Sequence, residues 1–81
     1  MTDPRPKKRS VIISGHATSI SLEDEFWQEL QAIARERGQT ISQLLSDIDE
    51  SRGRRSLSSA ARIFVLRWLK RKISGARPPE A

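Results

Sequence analysis

The sequence predicts a mainly α-helical domain that opens on a short β-ribbon and closes on an additional C-terminal helix. Three observations carry that expectation. Residues 11 to 22 are rich in Val, Ile, Thr and Ser, with apolar and small side chains alternating in the second half. Two apolar stripes at helical spacing follow, divided by Gly38 and Thr40, and a third begins after Ser56.

Taken in order, residues 1 to 9 hold two prolines and four basic residues with almost nothing to bury, which reads as a disordered basic arm. Residues 74 to 81 read as a matching disordered tail, leaving 10 to 73 as the folded domain. Within the β stretch Thr18, Ile20 and Leu22 alternate with Ala17, Ser19 and Ser21, so one face is mostly apolar and the other carries only short side chains. Gly15 and His16 suit either a two-residue hairpin turn with Gly first, or a bulge in one longer strand.

Glu23, Asp24 and Glu25 open the first helix, because acidic side chains offset the positive end of the helix dipole. Phe26, Trp27, Leu30, Ile33 and Ala34 form its core stripe, and Gly38 is placed to end it. Thr40 caps the second helix, with Gln43 completing a capping box, and Ile41, Leu44, Leu45 and Ile48 form its apolar face. After a basic loop at 51–56, Ser56 or Ser58 caps a third helix whose stripe is Leu57, Ala60, Ala61, Phe64, Val65, Trp68 and Leu69. Ile63, Leu66 and Ile73 widen that stripe beyond what one small subunit covers, which points to an intersubunit surface.

Eighty-one residues make one domain at most, and with no cysteine neither disulfides nor a thiolate zinc site can stabilise it, so a homodimer or higher oligomer is expected. No apolar run approaches a membrane span or a signal-peptide core, and the cytoplasm is the expected location. The net charge of +5 is unevenly placed: acids crowd residues 22 to 50, while residues 51 to 77 carry nine basic groups and no acid. Such clustering suits a polyanion. His16 is the only histidine, and it has no companions at ligand spacing. Neither a metal, a cofactor nor an enzymatic role is expected, because no serine has a base partner.

The strand ending at Leu22, the acidic-start helix through Arg37, and the run Gly38, Gln39, Thr40, Ile41, Ser42, Gln43, Leu44, Leu45 resemble the ribbon-helix-helix superfamily of bacterial and phage repressors over roughly residues 16 to 49. Arg9, Ser10 and Val11, then Gly15 and His16, then Phe26 and Trp27, then the helix from Leu57 to Leu69, are similar to a family of short bacterial proteins built of little beyond this domain. The resemblance implies a DNA-binding transcriptional regulator, a dimer in which two chains each give one strand to an antiparallel ribbon in the major groove of double-stranded DNA. It assigns Ala17, Ser19 and Ser21 to the bases, and Ile20, Leu22, Trp27, Leu45, Phe64 and Trp68 to a dimer core. It also assigns phosphate contacts to Thr40, Ile41 and Ser42 at a helix N-terminus, where free amides favour anions.

Charge clustering adds Lys7, Lys8, Arg9, Arg52, Arg54 and Arg55 to the phosphate set. Because Ala17 has no hydrogen-bonding group and serine reaches only a short way, sequence discrimination is expected to be modest. A second reading makes the chain an interaction or antitoxin-like adaptor module. It would use the basic amphipathic segment 62–73 on a protein partner, since that segment's apolar residues are needed for a core and leave little for a membrane.

Overall fold

A computed structural model describes residues 5 to 76, with side chains as far as residue 74. Strands β1 (Lys7–Ile13) and β2 (His16–Leu22) pair antiparallel, from Ile13 opposite His16 to Lys7 opposite Leu22. Between them Ser14 and Gly15 both adopt positive φ, 50° and 80°. Two successive left-handed residues make the tight turn whose twist matches a hairpin. Of the two sequence expectations the hairpin is therefore the one realised, but its turn is Ser14 and Gly15, with the glycine second.

This hairpin revises two expectations. Lys7, Lys8 and Arg9 belong to β1 rather than to an arm, since pairing with Leu22, Ser21 and Ile20 outweighs the low strand preference of lysine. Residues 1 to 4 lie outside the described residues. More consequentially, β2 finds an antiparallel partner within its own chain, in β1. At the other end the third helix continues to Ala76, so residues 74 to 76, expected in the tail, are helical; residues 77 to 81 lie outside the described residues.

Helix α1 (Asp24–Glu36) starts with two acids in its first turn. It ends where Gly38 takes a φ of 70° and the Gln39 N–H returns to the Ala34 carbonyl at 2.8 Å, a closure that only a left-handed residue allows without cost. Helix α2 (Ile41–Ser51) carries the full capping box: the Gln43 N–H donates to Thr40 Oγ1 at 3.1 Å, and the Thr40 N–H donates to Gln43 Oε1 at 2.9 Å. Helix α3 (Leu57–Ala76) is capped by Ser56, whose hydroxyl accepts from the Ser59 N–H at 3.1 Å.

Val11, Ile13, Ile20 and Leu22 from the inner face of the hairpin meet Leu30, Ile33, Leu44, Leu45, Ile48, Ala61 and Val65 from the three helices in one core. Ile20, Leu22 and Leu45, assigned to a dimer core, are at most 1% exposed within the single chain. Val11 and Ile13 of β1 complete the same core from the other strand of the hairpin. Trp27, Phe64 and Trp68 sit half-buried at the core's rim. Among the described residues no helix is long and apolar enough to cross a membrane.

Candidate nucleic-acid interface

Strand alternation divides the hairpin into two faces. Positions 11, 13, 20 and 22 point into the core, whereas Lys8, Ser10, Ile12, Ala17, Ser19 and Ser21 are all exposed. The register pairs the exposed set across the ribbon as Lys8 with Ser21, Ser10 with Ser19 and Ile12 with Ala17. Directly opposed side chains on one face lie about 5 Å apart, so these six form one continuous surface. Ala17, Ser19 and Ser21 thus stand on the outer face as the alternation predicted. Ser10 and Ile12 were missed, although the alternation of Ser10 and Ile12 with Val11 and Ile13 carries the same period-two signal.

A shallow depression on this face is lined by Lys8, Ser10, Ala17, Thr18 and Ser19. Its hydroxyls can both donate and accept, and the Lys8 ammonium, which makes no ion pair among the described residues, supplies a free cation. The backbone at one end is held from the side, where the Ser21 N–H donates to Ser58 Oγ at 3.1 Å. Ser58, one of two cap candidates by sequence, therefore braces the ribbon while Ser56 does the capping.

The remaining basic residues divide into engaged and free. Arg9 turns inward, donating to Asp24 at 2.8 Å with its guanidinium 4.7 Å from the centre of the Trp27 ring, and Lys7 reaches the same carboxylate at 3.2 Å. Arg52 is bound to Asp49 at 2.7 Å and to the Arg55 carbonyl at 2.7 Å. Arg54 and Arg55 are exposed and make no ion pair among the described residues.

Thr40 spends its side-chain oxygen on the cap, which leaves the Ile41 and Ser42 amides as the open donors of that helix start. Ile41 shares a recess with Gln31, Ala34, Arg35 and Gln39, while the hairpin turn approaches α2 further on, with the Ser14 N–H 3.3 Å from Ser46 Oγ. At the root of the ribbon Glu23 accepts from Arg62 at 2.9 Å. Its own backbone N–H, and next the Arg62 hydrogen bond, hold the Glu23 carboxyl below its ordinary pKa.

The sequence profile of the Ribbon-helix-helix domain family matches residues 6–69. A solved structure, that of an uncharacterized protein from Bordetella pertussis Tohama I, superposes with a TM-score of 0.75 at 29% identity and covers 95% of this chain. The match spans 66% of that protein's chain. No curated protein matches.

Proposed function

Because the chain belongs to the ribbon-helix-helix domain family, in general a family of DNA-binding regulators, we propose that it binds double-stranded DNA through the outer face of the β1–β2 hairpin and regulates transcription. One observation carries this reading. The ribbon's outer face holds hydroxyls, an ammonium and two apolar groups, all of them exposed among the described residues. Two strands about 5 Å apart suit a major groove about 12 Å wide.

Ser19, Ser21 and Ser10 reach the base edges, Ala17 and Ile12 meet thymine methyls, and Lys8 takes a phosphate at the groove wall. Arg54 and Arg55 bind phosphates beyond it. Short side chains and many cations make the affinity mostly electrostatic and the discrimination modest. The working unit is a homodimer, the general DNA-binding state of the family, in which each copy contributes its own ribbon. Two such ribbons read half-sites about one helical turn apart.

Mobility shifts of the full chain over a salt series test the reading. Affinity for duplex DNA is expected to fall steeply as salt rises. Binding that ignores salt, or that survives loss of Lys8, Arg54 and Arg55 together, would overturn it.

A further inference from the structure

Four arginines line an open-mouthed cavity between the end of α2 and α3. Arg52 and Arg55 come from the connecting loop, Arg67 and Arg71 from one face of α3, and no carboxylate lines the space. Arg52 is neutralised by Asp49, but Arg55 and Arg67 make no ion pair among the described residues, and Arg71 only faces the Trp68 ring at 5.8 Å. The walls are thus cationic and largely uncompensated, which disfavours the empty site and favours an anionic occupant.

The lining is not all charged. Ile48, Ile63 and Phe64 make the apolar part of the lining, and the cavity measures about 180 Å³. A cavity of roughly 150 Å³ is known to hold a benzene ring, so the space fits one aromatic or large aliphatic side chain. We propose that this groove docks an acidic segment of a partner protein, one apolar side chain entering between Ile63 and Phe64 while flanking carboxylates pair with Arg67 and Arg71.

Nucleic acid fits less well. A phosphate backbone has no apolar group to meet the apolar part of the lining, and none of the outer-face residues of the ribbon lines this cavity. Arginine is the cation best suited to the role, because its planar fork pairs with carboxylates and stacks on rings. The proposal does not depend on DNA binding by the ribbon.

Fluorescence anisotropy of the full chain with a short fluorescein-labelled peptide, one Phe flanked by Glu residues, tests it. Binding is expected to weaken roughly tenfold when the Glu residues become Gln, and likewise when Phe becomes Ser, a tenfold change being about 1.4 kcal/mol. Arg67→Glu with Arg71→Glu should abolish binding of the acidic peptide and restore binding of its Lys-substituted counterpart, whereas Lys8→Glu should leave the acidic peptide bound. Equal affinity for the Ser peptide would reduce the effect to bulk charge, and displacement of the peptide by duplex DNA would assign the groove to nucleic acid. Either result, or no binding at all, overturns the proposal.

Discussion

The amide of Ser21 donates to the hydroxyl of Ser58 across 3.1 Å, joining the last stretch of the ribbon to the first turn of α3, thirty-seven positions away in the chain. A strand edge that would otherwise present an open donor is closed at that point by a side chain. Ser58→Ala should lower stability by about 1 kcal/mol and speed hydrogen exchange at the Ser21 amide. Unchanged exchange at that amide would remove the brace.

Ile20 is 1% exposed, packed in a core with residues from all three helices of its own chain. Ile20→Ala should cost about 2 to 5 kcal/mol in urea unfolding, and the loss should be the same at every protein concentration. A cost that grows on dilution would mean that a second copy completes this part of the core.

Ser19→Ala and Ser21→Ala should change which DNA sequences are preferred, each lost hydroxyl contact costing about 1 kcal/mol. Lys8→Ala should instead weaken all sequences alike and reduce the salt slope by about one. Selection of binding sites with each variant separates the two effects; identical site preferences for the wild type and both serine variants would take the ribbon out of the groove.

Thr40→Ala removes the acceptor of the capping box and should cost about 1 kcal/mol of stability. Since the recess that Ile41 lines includes no outer-face residue of the ribbon, DNA affinity measured on the folded fraction should change little. A loss of tenfold or more would instead bring the start of α2 onto the phosphates.

The Glu23 to Arg62 pair predicts a pH dependence with a definite sign. A carboxyl whose folded pKa is depressed stabilises the fold above its unfolded value and loses that contribution as the pH falls through the folded one. The wild type should therefore lose stability from about pH 4.5 downwards, and Arg62→Ala should lose less over that interval. Parallel acid unfolding profiles for the two proteins would show that the pair does not act this way.

Much of this architecture is legible in the sequence because local signals agree. The period of three to four in α1 and α2, the glycine after Arg37, and the Thr40 with Gln43 box each report a short-range interaction, and each stands where the chain predicts. What could not be read is decided at longer range. Lys7 to Arg9 lack strand preference, and only pairing with residues 20 to 22 makes them a strand. The same blindness left hairpin and bulge equally open at Gly15 and His16, and it gave no sign that Arg9 meets a carboxylate and an indole of its own chain. The side chain of Ser14 gave no warning of the turn either, as left-handed geometry is a habit of glycine and asparagine.

The hairpin also has a consequence for direction. A ribbon shared equally by two identical chains looks the same from either end, and so it favours palindromes. Here one strand offers Lys8, Ser10 and Ile12 while the other offers Ala17, Ser19 and Ser21, and no rotation exchanges them. Laid in a groove, such a surface has a head and a tail. A half-site read by one copy would carry an orientation, so the two half-sites bound by a symmetric dimer of such ribbons would have to run in opposite directions.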